Sequence, residues 1–297
     1  MLNLVENRSD AAREEVAALL RAIAPAALGG EAGGHVVGVT GPPGAGKSSL
    51  LSELVRSWRA TGRTVAVLAV DPSSRRTGGA LLGDRARIVF DPNDPGTFIR
   101  STAADGRFGG LAAATRTAAH ALAVAFDIVV IETVGVGQSE VEVADVADTV
   151  AVVVQPGSGD ALQFLKSGIM EVPDVLVVTK ADLGDVALRA RRDLAAAARS
   201  VGERATRVVA VSCVSPVRGV DELVAALDAH RDTLDLPAVR GAKRRAGALA
   251  DFTAEHGERG LRALGGPRAA ARLLDDAAPT TDVPTLVSVL EDHAHAR

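Results

Sequence analysis

Eight consecutive residues, Gly41-Pro42-Pro43-Gly44-Ala45-Gly46-Lys47-Ser48, have the types and spacing of a loop built to hold phosphates. In this pattern glycines let the main chain close on an anion, so that backbone N–H groups point inward and cradle it. Lys47 would reach the terminal phosphates, and the Ser48 hydroxyl is placed to hold Mg²⁺. The flanks fit as well. His35 to Thr40 is an apolar run, and Ser49-Leu50-Leu51-Ser52-Glu53-Leu54-Val55 opens a helix whose N-terminal dipole favours anions. A bound triphosphate held by residues 41–49 is the first chemical expectation.

Three further stretches bear on that ligand. Asp71 closes an apolar run and starts Asp71-Pro72-Ser73-Ser74. A carboxylate there, beside the loop, can touch Mg²⁺ directly or through water. The long glycine-rich stretch 75–85 carries a second acid, Asp84. Glu132 closes another apolar run and stands as the Walker-B-type acid, followed by Gly135, whose N–H is expected to sense the terminal phosphate. Ser48, Asp71, Asp84 and Glu132 are the expected metal set. Thr179-Lys180-Ala181-Asp182 fits the guanine-reading pattern [NT]-K-x-D. Asp182 can accept from guanine N1–H and the exocyclic amine together, whereas adenine N1 would present a lone pair, so the carboxylate discriminates against ATP. A paired site of this kind separates the two bases by roughly 10⁴-fold. The Lys180 stem would lie along the ring, and Ser212-Cys213-Val214 is expected to touch its edge.

These residues need strands to carry them. The runs 64–70, 126–131, 149–154, 174–178 and 207–211 are nearly continuous in apolar residues, as is the run before the phosphate loop. Such strands are buried on both faces, as in a parallel sheet with helical crossovers. The spacing predicts an amphipathic helix over 10–24, and three more near 240–256, 267–275 and 283–294, punctuated by Pro267, Pro279 and Pro284. The expected organisation is an N-terminal helical extension and linker (1–34), an α/β nucleotide domain (35–236) and a C-terminal helical arm (237–297).

Composition excludes several classes. With 297 residues, 47% of them hydrophobic, the chain can build a substantial core. A net charge of -4 gives no reason to expect a nucleic-acid partner. One cysteine, Cys213, cannot form an internal disulfide or a multi-cysteine zinc site. No apolar run is long enough to span a membrane, and the first residues lack the basic and apolar regions of a signal peptide, so a cytoplasmic protein is expected. Of 33 basic residues only Lys47, Lys166, Lys180 and Lys243 are lysine. Where arginine serves for nearly every surface cation, lysine survives where a compact ammonium or a slim stem is needed. That singles out Lys166, which recurs with Asp160 and Gln163 at every third residue. Spacing alone reads these three as a solvated helix face; the scarcity of lysine reads them as functional.

Together the strings 39–48, 70–74, 78–85 and 131–140 and the Thr-Lys-Ala-Asp turn resemble the MeaB/MMAA/ArgK family of GTPases. The resemblance covers most of residues 1–235 and, more loosely, the helical tail. It implies a P-loop GTPase of the SIMIBI type that dimerises through its C-terminal helices and hydrolyses GTP to GDP and phosphate with Mg²⁺. It also implies a chaperone role, in which the protein gates adenosylcobalamin loading and protects or rescues an acyl-CoA mutase such as methylmalonyl-CoA mutase. The stretch around Asp160, Gln163 and Lys166 is implied to relay nucleotide state to the mutase. Lys47, Asp71, Glu132 and Lys166 are the expected catalytic residues. No arginine finger or water-orienting glutamine is identifiable, so slow intrinsic turnover stimulated by the mutase is expected. Two alternatives stand beside this reading. A metal-insertion GTPase of the hydrogenase or urease type needs Cys or His ligands, yet the six histidines are scattered. An ATP-dependent kinase of an amino-acid transport system is opposed by Asp182.

Overall fold

The computed structural model describes residues 2–7, 9–71, 88–103, 113–133, 142–157, 173–201 and 206–295. Three short N-terminal helices come first: α1 (Leu2–Glu6), α2 (Asp10–Ala22) and α3 (Pro25–Leu28). Next come β1 (His35–Thr40), α4 (Lys47–Ala60), β2 (Val65–Asp71), β3 (Thr97–Ala103), α5 (Ala113–Ala125), β4 (Ile128–Thr133) and β5 (Thr149–Val154). The remainder is β6 (Val175–Val178), α6 (Asp185–Val201), β7 (Arg207–Ala210), α7 (Val220–Arg231), α8 (Leu236–Ala263), α9 (Pro267–Asp275) and α10 (Val283–His295).

The strands form one parallel sheet in the order β3-β2-β4-β1-β5-β6-β7. The expected α/β class and parallel sheet are therefore present, with one strand more than the apolar runs announced. β3, Thr-Phe-Ile-Arg-Ser-Thr-Ala, is an edge strand that mixes polar with apolar residues and so carries no continuous apolar signal. One face of the sheet, with Val37, Val39, Val67, Val130 and Val153, joins Leu50, Leu54 and Trp58 of α4 and Leu223 and Leu227 of α7 in a single core. Alternate strand residues share a face, and α4 supplies apolar residues at helical spacing, which is why its first turn is fixed against the sheet.

The starts of the strands are pinned by aspartates. The Asp127 carboxylate accepts from Thr64 N–H at 2.7 Å, Asp148 from Val36 N–H at 2.9 Å and Asp174 from Val150 N–H at 2.9 Å. Asp94 accepts from Arg59, from Gly96 N–H and from the Thr97 hydroxyl, tying the end of α4 to the start of β3. A polar chain runs from His35 Nε2 to Thr149 Oγ1 (2.8 Å), on to His230 Nδ1 (2.9 Å), and from His230 Nε2 to Asp174 (3.1 Å), fastening α7 to three strand starts.

The chain divides into two compact units. Residues 34–115 and 125–233 make the sheet unit. Residues 1–33, 116–124 and 234–297 make a helical unit, so the N-terminal segment and the C-terminal helices, expected as separate regions, fall together. Within the helical unit Phe252, Leu261, Leu264, Leu274, Leu286 and Leu290 form the core. Arg244 grips Glu31 through two bonds (3.0 and 2.6 Å) and also donates to the Pro279 carbonyl, while Arg240 donates to the Ala32 carbonyl. Arg240 and Arg244 are buried and the Glu31 side chain is nearly so, and this clamp anchors the linker to α8. Asp235 caps α8, and Pro237 occupies its first turn, so the helix starts before residue 240; beyond 256 it breaks at Gly257 (φ 60°, ψ -163°) and resumes to Ala263. No helix among the described residues is long and apolar enough to cross a membrane.

Candidate functional site

β1 delivers the chain to the phosphate loop at the C-terminal end of the sheet. Gly41 has φ 144°, and a Cβ there would collide with the Val153 carbonyl of β5, so only glycine permits the turn. Gly46 (φ 90°) is the N-cap of α4 and brings no capping side chain, which leaves the first-turn N–H groups facing the loop rather than a side-chain oxygen. Ala45 is fully buried, Pro42 and Ser48 half-buried, and Pro43, Gly44 and Ser49 exposed. Lys47 is buried. Its Nζ donates to the carbonyls of Gly41 (2.6 Å) and Pro42 (3.3 Å), so the ammonium lies within its own loop.

Glu132 is the penultimate residue of β4 and only 3% exposed. It is in register with Val39 of β1 and Ala69 of β2, which brings its carboxyl to the strand ends beside the loop. The next residue, Thr133, donates from its hydroxyl to Thr40 Oγ1 at 2.8 Å, locking β4 to the strand that carries the loop. Asp71 is the last residue of β2, paired with Ala103. Its side chain, together with Asp84, Gly135, Asp160, Gln163 and Lys166, lies outside the described residues. Ser52, one turn after Ser48, donates to the Ser48 carbonyl and accepts from Val89 N–H, both at 2.9 Å.

On the other flank β6 ends in the Thr179–Asp182 turn. Thr179 is buried, and its hydroxyl donates to the Ala45 carbonyl at 2.5 Å, with the Val154 carbonyl at 3.1 Å. It thereby ties this turn to the phosphate loop. Lys180 has φ 53°, the one positive φ outside glycine among the described residues. Its Nζ donates to the Gly44 carbonyl (3.2 Å) and to Gln155 Oε1 (2.5 Å). Ala181 N–H is fixed to the Val211 carbonyl. Asp182 is exposed, and its Oδ1 accepts from the buried Ser212 hydroxyl at 3.1 Å. Val214 is 61% exposed beside it and donates its N–H to Ser212 Oγ. Burial pushes the Cys213 thiol up to about 11, with Glu53 and Asp182 adding to the shift. The thiol is therefore neutral at physiological pH, which suits packing and not thiolate chemistry.

The sheet thus brings Lys47, Ser48 and Glu132 to one side of the loop and Thr179, Lys180, Asp182 and Ser212 to the other. Gln155, Ser52 and the Thr40–Thr133 bond belong to no motif. They could have been found only by noticing which polar residues stand next to strand ends and one helical turn from Ser48. Among the described residues one group of three potential metal ligands occurs, Glu255, His256 and Glu291, in the helical unit.

The profile of the family described as methylmalonyl Co-A mutase-associated GTPase MeaB matches residues 1–259. The chain belongs to this family. It is 43% identical over 252 residues to a protein of Pyrococcus abyssi described as a GTPase, covering 82% of this chain and 75% of the other. It is 44% identical over 160 residues to the mouse mitochondrial methylmalonic aciduria type A homolog, covering 52% of this chain and 38% of the other. A solved structure described as LAO/AO transport system kinase superposes with a TM-score of 0.66 at 29% identity, covering 98% of this chain and 90% of that one. The chain is a P-loop GTPase of the MeaB family, as its motifs lead one to expect.

Proposed function

We propose that the chain uses GTP hydrolysis to time its action on an adenosylcobalamin-dependent acyl-CoA mutase, most simply methylmalonyl-CoA mutase, by gating cofactor loading and protecting or reactivating the enzyme. The observation that carries this reading is the match of residues 1–259 to a family described as methylmalonyl Co-A mutase-associated. The loop N–H groups and Lys47 bind the phosphates, and phosphate oxygens replace the Gly41 and Pro42 carbonyls that hold the ammonium in this structure. Thr179, Lys180, Asp182, Ser212, Cys213 and Val214 surround the guanine, Asp182 supplying the paired acceptor. Ser48, Asp71, Asp84 and Glu132 offer only oxygen donors, and Glu132 is buried at the strand end, a donor set that fits Mg²⁺ and not a softer metal. When bound, Mg²⁺ neutralises charge on the phosphate oxygens. Gly135 senses the terminal phosphate. Asp160, Gln163 and Lys166 relay nucleotide state to the mutase, with Lys166 also taking part in catalysis, and residues 237–297 form the homodimer contact.

A second reading, an ATP-dependent kinase, is favoured by the description of the superposable structure. The two differ in base and product. Asp182→Asn removes the paired acceptor and should cut the preference for GTP over ATP by at least tenfold, read as the ratio of dissociation constants. In a transfer assay with apo-mutase and adenosylcobalamin, GTP should permit loading and a non-hydrolysable analogue should stall it. Turnover of ATP with a phosphorylated protein product, and loading indifferent to GTP, would establish the kinase reading instead.

A further inference from the structure

Gln155 stands immediately after β5, outside every nucleotide motif, yet its side chain is drawn into the site. Its Oε1 accepts from Lys180 Nζ at 2.5 Å, and the same ammonium donates to the Gly44 carbonyl at 3.2 Å. Gly44 follows β1, Gln155 follows β5 and Lys180 follows β6, and these three strands are neighbours in the sheet. The lysine is therefore gripped at both ends. Its backbone is fixed in the left-handed region (φ 53°), where a residue with a side chain sits only under constraint. Its tip is held by two carbonyl oxygens.

The grip has a consequence for binding. A lysine side chain has a long flexible stem, and laying it flat along a ring costs rotamer freedom. A stem already fixed at both ends has met that cost before the ligand arrives, so affinity gains from pre-organisation. We propose that Gln155 is a positioning residue for the guanine base, holding the Lys180 ammonium so that its stem forms a preset wall of the base site. The proposal rests on Thr179–Asp182 being the base-reading turn. The contact is made by the amide oxygen alone, so any acceptor at the same reach serves, and a side chain of similar size without one does not. The wall acts on the ring and not on its edge, so it sets how tightly a purine is held without choosing among purines.

The test uses the full chain with Mg²⁺ and titration calorimetry of GDP, IDP and ADP, on the wild type, Gln155→Leu, Gln155→Glu and Asp182→Asn. Gln155→Leu should raise the dissociation constants of GDP and IDP by one common factor of roughly three to ten, the loss of one charge-assisted hydrogen bond at an exposed site. Gln155→Glu should restore GDP affinity to within about twofold of the wild type, with both variants melting like the wild type when nucleotide-free. Unchanged GDP affinity in Gln155→Leu overturns the proposal. So does a Gln155→Glu variant as weak as Gln155→Leu, since the acceptor would then be irrelevant. If the wild type holds GDP no better than ADP, the base-reading turn itself is misassigned. If Asp182→Asn relaxes that preference while Gln155→Leu changes nothing, Gln155 alone is misassigned.

Discussion

The Thr179 hydroxyl bonds to the Ala45 carbonyl of the phosphate loop, within reach also of the Val154 carbonyl that ends β5. It stands where a guanine-reading motif more often has asparagine, and the structure gives it the task of joining base turn to phosphate loop. Deleting the hydroxyl would strand a buried carbonyl, at about 1–3 kcal/mol. Thr179→Ala should therefore lose that much stability in urea titration, while Thr179→Ser, which keeps the donor, should stay close to the wild type; equal losses in both would remove the bond from the account. Residue-scale chemistry was largely legible in the chain. Glycine, lysine and serine at fixed spacing, and an acid two residues past a lysine, are local patterns with one dominant physical use. Gln155 and Ser52 were not legible, because their partners, Lys180 and Val89, lie 25 and 37 residues away in the chain and neither sits in a spacing that announces a bond.

At the scale of elements, the sheet owes its alignment to aspartates standing just before apolar runs. Phe126-Asp127-Ile128, Ala147-Asp148-Thr149 and Pro173-Asp174-Val175 share the pattern, and each carboxylate receives an N–H at or just before the start of a neighbouring strand. The Thr64 backbone N–H and hydroxyl hold the Asp127 carboxyl below its ordinary range, and the Arg59 guanidinium, with Thr97 and Gly96, does the same for Asp94. A depressed folded-state value means that the contribution is present above the ordinary carboxylate value and is lost as pH falls through the folded one. The window therefore opens near pH 4 and extends below it. The melting midpoint should fall between pH 5 and pH 3, and Asp127→Asn, which keeps an acceptor but not the charge, should lower the midpoint at pH 5 and flatten that slope. A variant with the wild-type slope would show that other groups carry the acid sensitivity. Five of the seven strands were readable because strands buried on both faces are written in valine, isoleucine and alanine; β7, the other edge strand, was readable from its Val208-Val209-Ala210 run although only Val209 is buried. β3 was not, because an edge position tolerates Arg100 and Ser101 inside the strand.

The whole molecule has two compact units, and the helical one is held by ion pairs as well as apolar packing. Arg244→Met would leave the Glu31 carboxylate buried beside Arg240 alone, at about 3 kcal/mol, whereas Arg244→Met with Glu31→Leu should recover most of the loss. Calorimetric melting of both variants checks this; a double variant as weak as the single one would mean that the clamp's geometry, not its uncompensated charge, matters. This grouping of residues 1–33 with 234–297 was beyond sequence patterning, since the contacts that make it, such as Arg244 to Glu31, span more than 200 positions. We propose that GTP hydrolysis by this chain answers to an adenosylcobalamin-dependent mutase. The direct measurement is phosphate release from GTP at saturating Mg²⁺, with methylmalonyl-CoA mutase titrated from none to excess. The basal rate should be slow, rise at least about tenfold and saturate at a fixed ratio of the two proteins. A rate that is the same at every mutase concentration, or equal turnover of ATP, would contradict the proposal.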